Sequence, residues 1–296
     1  MNTASTTGTA NATATANASA AATASAAATT AVIGATGKTG RRVVDLLEHR
    51  GLRVRGLARS TTPGFDWDAP ESWPRALQGV DRLYATYSPD LAVPESAAAI
   101  THLVDVARDA GVGRIVLLSG RGEDGARRCE DILLASGVPA TVVRSSWFVQ
   151  NFTEGMLRDA VRSGVLALPA GGAREPFIDV DDIAEVVVEA LTGEGHEGRV
   201  YEVTGPELLT FADMAALLSE LHGRDVRYLP VGFDEFHAAV AADAGPEVAT
   251  MLTELSREVF DGRNESVASG VFEALGRPPR DARTVLAQAA LAGVWA

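Results

Sequence analysis

Apolar positions along this chain follow two periodicities that alternate. Short apolar runs at Ala31–Ile33, Leu52–Ala58, Arg82–Tyr87, Arg114–Leu118 and Ala140–Arg144 predict strands, that of Arg114–Leu118 being continuous. Between them lie stretches with helical spacing. Arg41–Arg50 carries Val43, Leu46 and Leu47 on one face and stops at Gly51, a glycine suited to closing a helix. Pro94–Ala110 places Ile100, Leu103, Val104 and Ala107 together and stops at Gly111, and Glu123–Ser136 stops at Gly137. A further short strand is expected near Phe65. Strands that are apolar at every position are buried on both faces. Helices of crossover length between them require parallel pairing through right-handed connections. The expected class is α/β, with a doubly wound parallel sheet.

Two segments break this rhythm. Residues 1–29 are almost entirely Ala, Thr, Ser, Asn and Gly and hold no large apolar side chain beyond Met1. Such a segment cannot offset its ordering entropy, so a low-complexity tail is expected there. It lacks the basic start and leucine-rich core of a secretory signal. Beyond residue 150 the alternation loosens. Phe152–Ser163 predicts a helix, and Val165–Leu168, Val200–Val203 and Val226–Leu229 predict strands. Asp179 with Asp182 three residues on, and Thr210 with Asp213, match helix-opening capping boxes. From Phe233 onward the pattern is helical.

The junction after the first strand carries chemistry. Gly34-Ala35-Thr36-Gly37-Lys38-Thr39-Gly40 follows a strand and opens a helix. A phosphate-binding Walker loop would need a glycine where Val32 stands, and the Gly-x-Gly-x-x-Gly spacing fails because Ala35 and Thr36 both separate Gly34 from Gly37. Gly-x-x-Gly-x-x-Gly remains. In this context it lets a dinucleotide pyrophosphate approach the first amides of a helix. The second strand runs into Ala58-Arg59-Ser60 and supplies no acid for a ribose hydroxyl. Arg59 and Ser60 suit a 2′-phosphate, with Lys38 able to assist, so NADP(H) is expected ahead of NAD(H). The chain therefore reads as a Rossmann core over residues 30–150. The remainder, 151–296, completes the fold and covers the substrate with a smaller, mostly helical region.

Composition narrows the partners. Across 296 residues the formal charge is −13, which disfavours nucleic acid and anionic membrane surfaces. No apolar run is long enough to span a bilayer. One cysteine, Cys129, and five scattered histidines give neither a disulfide framework nor a metal cluster. A soluble, cytoplasmic protein acting on a small molecule is expected. Its single lysine, Lys38, sits in the glycine loop.

Further motifs extend the picture: Leu117-Leu118-Ser119-Gly120, Thr141-Val142-Val143-Arg144-Ser145-Ser146-Trp147-Phe148 followed by Gln150-Asn151-Phe152, Phe177-Ile178-Asp179-Val180-Asp181-Asp182-Ile183-Ala184, and Tyr201-Glu202-Val203-Thr204-Gly205-Pro206. With the glycine loop they resemble the NmrA-like group of atypical short-chain dehydrogenase/reductases across most of residues 31–296. The tail Gly276-Arg277-Pro278-Pro279-Arg280 is similar to that of the ergot-alkaloid iminium dehydrogenases of this group, and the middle to its bacterial NAD(P)H:quinone oxidoreductases. The resemblance implies an NAD(P)H-dependent oxidoreductase or, as in some members, a redox sensor that binds NADP(H) and reports to a protein partner. One departure matters. Residues four beyond Tyr84, Tyr87, Tyr201 and Tyr228 are Ser88, Leu91, Gly205 and Gly232, so the Tyr-x-x-x-Lys proton-transfer pair of the wider superfamily is missing. Quinones and iminium ions demand less of a proton donor than simple ketones do.

Ligands of an open parallel sheet bind beyond the carboxyl ends of its strands. That rule places Tyr87, Ser88, Ser119, Gly120, Arg121 and the stretch Ser145–Phe148 near the nicotinamide. Trp147, Phe148, Asn151, Phe152 and Phe177 could wall a flat substrate, though each aromatic reads equally as core. Ser119 reads better as a helix N-cap, Cys129 as a small buried hydrophobe, and Asp179, Asp181 and Asp182 as capping groups. No residue is assigned a catalytic role.

Overall fold

The computed structural model describes residues 28–296. Its main sheet contains β1 (Thr29–Ile33), β2 (Arg53–Leu57), β3 (Arg82–Ala85), β4 (Arg114–Gly120), β5 (Ala140–Ser145) and β8 (Val200–Val203), in the order β2-β1-β3-β4-β5-β8. Every pairing in it is parallel. The order reverses between β1 and β3, and the glycine loop leaves β1 at that switch point. Of the expected tail, only the last two residues are described; Thr29 already belongs to β1, and the rest of that segment lies outside the described residues.

Side-chain alternation divides the core in two. Ile115 and Leu117 of β4 face one side, where α2 (Trp73–Leu77), α3 (Ser96–Asp109) and α4 (Asp124–Leu134) pack. Val116 faces the other, against α1 (Lys38–His49), α6 (Val180–Thr192) and α10 (Gly270–Leu275). Asp179 caps α6 as expected, accepting from the Asp181 amide. Asp182 is no capping partner. It is fully buried, and Arg277 and Arg280 bind it from the chain's end. Thr210 and Asp213 do form the expected reciprocal box at the start of α7 (Phe211–His222).

Two expectations about local structure need correction, and one helix was not foreseen. No strand forms near Phe65; that residue is buried in a loop among Trp67 and Trp73. The helix α2 was not anticipated, because five residues beginning Trp-Pro are too few to display a period. The expected helix from Phe152 to Ser163 is a 3-10 turn, Val149–Phe152, followed by α5 (Met156–Ser163) after Gly155, whose φ of +87° breaks the run.

The later half of the chain builds a third apolar cluster that includes Phe152, Leu166, Phe177, Phe211, Met214 and Trp295. Around it lie the parallel pair β6 (Val165–Leu168) and β10 (Arg227–Pro230), the antiparallel pair β7 (Arg174–Glu175) and β9 (Leu209–Thr210), and α11 (Ala282–Leu291). The hairpin of α8 (Phe233–Ala244) and α9 (Pro246–Val259) turns at Gly245 and crosses the open strand ends.

Candidate functional site

The glycine loop is shaped by contacts a side chain would prevent. Gly34 has φ of +75°, and a Cβ there would lie 2.3 Å from the Thr86 hydroxyl oxygen. A Cβ on Gly40 would lie 2.1 Å from the Gly34 carbonyl oxygen, so α1 can pack this closely only with glycine at that position. Gly37 has ordinary extended geometry and contributes openness: it caps α1 without a side-chain hydrogen bond, and no acid occupies the first turn. The amides of Lys38, Thr39 and Gly40 therefore have no helical acceptor, and Lys38 and Thr39 line a cleft. Tyr84, fully buried, donates to the Thr39 hydroxyl at 2.9 Å and fixes it; burial pushes the Tyr84 phenol well above its ordinary range.

That cleft, about 1200 Å³, extends from the loop to the end of β2. Thr36, Gly37, Lys38, Thr39, Arg59, Trp67, Tyr87 and Ser88 line it. Thr61 closes the turn after β2 by bonding the Ala58 backbone, which sets the direction of Arg59. Arg59 is exposed at the cleft mouth and has no ion pair or hydrogen bond among the described residues. Ser60 is exposed and lies outside the lining.

A second cavity of about 790 Å³ continues from the first beyond β3, β4 and β5, sharing Lys38, Thr86, Tyr87 and Phe148 with it. Lys38 donates to Asn151 at 2.8 Å. Burial lowers its ammonium pKa, against the pull of Glu154. Glu154 itself is held by Arg41 and Arg42. Trp147 and Phe148 line this cavity, with Trp147 stacked on Phe260 at 5.2 Å. Leu157, Val165, Leu168, Val240, Leu252 and Val259 complete an apolar wall.

Several expected roles change here. Phe152 and Phe177 do not line the cavity. They are 0% and 1% exposed and meet Phe211 in the third core, so they are packing residues. Ser119 is no N-cap; it sits within β4 and donates to Glu130 at 2.6 Å, while Arg144 binds the same carboxylate. Arg121 lines the cavity, but its guanidinium is taken up. It binds Glu202 at 2.7 Å and the carbonyls of Asn264 and Ser266, tying that loop over the strand ends. Cys129 is buried and bonded to Ser96, and burial pushes its thiol up. Among the described residues no cluster could hold a metal ion.

Three acids in the cavity wall were not anticipated. Asp90 and Glu123 share a hydrogen bond, and Glu123 is pushed well above the carboxylate range by burial and by that neighbour. Its carboxyl group rests against Gly120, where a Cβ would come within 2.0 Å of it. Glu175, on β7, is 2% exposed, and burial raises it to about 7. In the sequence these acids look like any solvated carboxylate; only the tertiary fold turns them inward.

The family model for the NmrA-like family matches residues 26–266. The chain belongs to the NmrA-like family. Within curated relatives of this chain, an NAD(P)H azoreductase of Xenophilus azovorans is 32% identical, over 84% of this chain and 93% of that protein. A (4-alkanoyl-5-oxo-2,5-dihydrofuran-3-yl)methyl phosphate reductase of Streptomyces griseus is 34% identical, over 85% and 94%. The same fold is also seen in solved structures. An NADPH-dependent quinone oxidoreductase of Escherichia coli superposes with a TM-score of 0.72 at 22% identity, over 88% of this chain and 98% of that one. The Citrobacter triphenylmethane reductase complexed with NADP(H) gives 0.70 at 23%, over 88% and 99%.

Proposed function

We propose that this protein is an NADPH-dependent reductase of small, flat, conjugated acceptors. The observation that carries the reading is the pair of joined cavities: a polar cleft headed by free helix amides opens into an apolar chamber at the sheet's switch point. The first cavity fits a dinucleotide. A Cβ on Gly34 or Gly40 would collide with backbone or Thr86, and the amides of Lys38, Thr39 and Gly40 await an anion. Those amides would hold the pyrophosphate, and the unpartnered Arg59 would take a 2′-phosphate. A nicotinamide bound at the strand ends supplies hydride to the acceptor. The chain supplies orientation and exclusion of water, through Trp147, Phe148, Leu157 and the α8–α9 hairpin. Names of relatives agree, since azo, quinone and triarylmethane acceptors are all conjugated and electrophilic.

The superfamily's Tyr-x-x-x-Lys pair does not supply an acid in this chamber. Tyr84 is buried against Thr39, Tyr201 bonds His196, Tyr228 bonds the Leu168 and Gly171 carbonyls, and Tyr87 has no lysine four residues on. Acceptors whose reduced form is stable fit this lack. The sensor reading, with turnover replaced by a protein partner, leaves the 790 Å³ apolar chamber without a use. The deciding experiment is NADPH oxidation by purified protein with menadione, an azo dye, a triarylmethane dye and a cyclic iminium salt. Turnover of at least one is expected. Tight NADPH binding with turnover of none would favour the sensor.

A further inference from the structure

Three residues that line the inner chamber carry a buried polar atom without a hydrogen-bond partner: Glu175, Trp147 and Glu154, the last on a carboxylate whose other oxygen Arg41 and Arg42 hold. Glu175 is 2% exposed, and its Oε2 accepts no hydrogen bond; Trp147 Nε1 is likewise buried and donates to nothing. Both residues line the same cavity. Buried polar groups without partners are rare, and one that borders a ligand chamber marks where a ligand's polar atom completes the set. The strand pairing of β7 with β9 fixes Glu175 in place. Around it, Asn264 bonds the carboxyl group, Arg121 contributes positive charge and Glu265 negative charge. Arg121 is already engaged by Glu202.

The charged lining of the chamber includes Asp90, Glu123, Glu154 and Asp243, against Lys38 and the engaged Arg121. Hydride addition to a neutral acceptor leaves an anion, which takes up a proton to complete the reduction. We propose that Glu175 protonates the oxygen or nitrogen of a neutral acceptor during its reduction. This rests on the reductase reading above. In the step, hydride from the dihydronicotinamide forms a bond to one end of the acceptor's conjugated system. The displaced π pair moves to the heteroatom, the Glu175 O–H bond breaks and a heteroatom–H bond forms. The carboxylate left behind regains a proton from water before the next turnover, so each cycle consumes one hydride and one proton. Burial, which raises Glu175 to about 7, keeps it protonated in part at neutral pH and able to donate. A cationic acceptor becomes neutral on taking hydride and needs no such donor.

The test compares wild type with Glu175→Gln and Glu175→Asp, using NADPH with menadione as neutral acceptor and crystal violet as cationic acceptor. Glu175→Gln is expected to lower kcat for menadione about 100-fold and to flatten its pH profile around neutrality. The loss for crystal violet should be at least about 10-fold smaller, and Glu175→Asp should restore part of the menadione rate. A second readout is independent of turnover: the ¹³C carboxyl resonance that disappears in Glu175→Gln should titrate near neutrality in wild type and shift when menadione is added. Equal losses with both acceptors, or an unchanged menadione profile, would overturn the proposal. If wild type reduces neither of these acceptors, nor the azo dye, nor the iminium salt, the reductase reading fails by itself. The proposal then falls if that resonance titrates as an ordinary glutamate or ignores menadione.

Discussion

At the scale of single residues, charge and burial decide what each group can do. Arg59 is exposed and has no ion-pair or hydrogen-bond partner among the described residues. Replacing it with alanine should weaken NADPH about 10- to 100-fold and NADH less than about 3-fold, since one charge-assisted contact to phosphate is removed; fluorescence titration with each cofactor measures this, and equal losses would refute the 2′-phosphate assignment. Glu175 gives a prediction on stability. Burial raises its carboxyl group to about 7, above the ordinary glutamate range. The folded chain thus holds this proton more tightly than the unfolded chain. The associated stability is whole below an unfolded pKa of about 4.3 and is lost as pH rises through about 7. Glu175→Gln should therefore be more stable than wild type at pH 8, by at most about 4 kcal/mol, with no such gain at pH 4; urea titrations at both values read the difference. The sequence exposes Arg59 because what matters there is a missing acid at the end of a strand. It hides Glu175, Asp90 and Glu123, whose environment comes from segments distant in the chain.

Elements were legible where their signal is local. The β1–loop–α1 unit follows from glycine spacing and one helical stripe, and the capping box at Thr210 and Asp213 from two residues three apart. Legibility fails where a side chain has a choice of neighbours. Trp147, Phe148, Phe152 and Phe177 are alike as aromatic positions, yet the 3-10 turn at Val149–Phe152 sends Phe152 into the third core while Trp147 and Phe148 stay at the cavity. Ser119 looked like a cap because β4 runs two residues further than its apolar stretch, with Ser119 and Gly120 still paired to β5. The close approach of α1 to its loop also belongs at this scale. Gly40→Ala puts a methyl group against the Gly34 carbonyl, so α1 must move. A loss of about 1–3 kcal/mol is expected, with NADPH affinity falling alongside because the same shift displaces the helix amides. Calorimetry and cofactor titration on one sample check both.

For the whole molecule, the parallel sheet was foreseeable from alternation, and the cover over its strand ends was foreseeable only as helical. The α8–α9 hairpin contributes to both cavities, yet only Val240 is buried in α8. Little apolar contact holds it, so local opening should be cheap compared with unfolding of the sheet. Amide hydrogen exchange is expected to be faster in Phe233–Val259 than in β3, β4 and β5, and to slow on addition of NADPH. Uniform protection across hairpin and sheet would show that the cover is as rigid as the core.

Lys38 stands where the two cavities meet, and its side-chain ammonium is unique in the chain. Lysine-selective isotopic enrichment would thus yield a spectrum with one side-chain signal, and that signal would come from the crossroads of cofactor and acceptor. A built-in reporter of this kind allows occupancy of either chamber to be followed without attaching a dye or altering a residue.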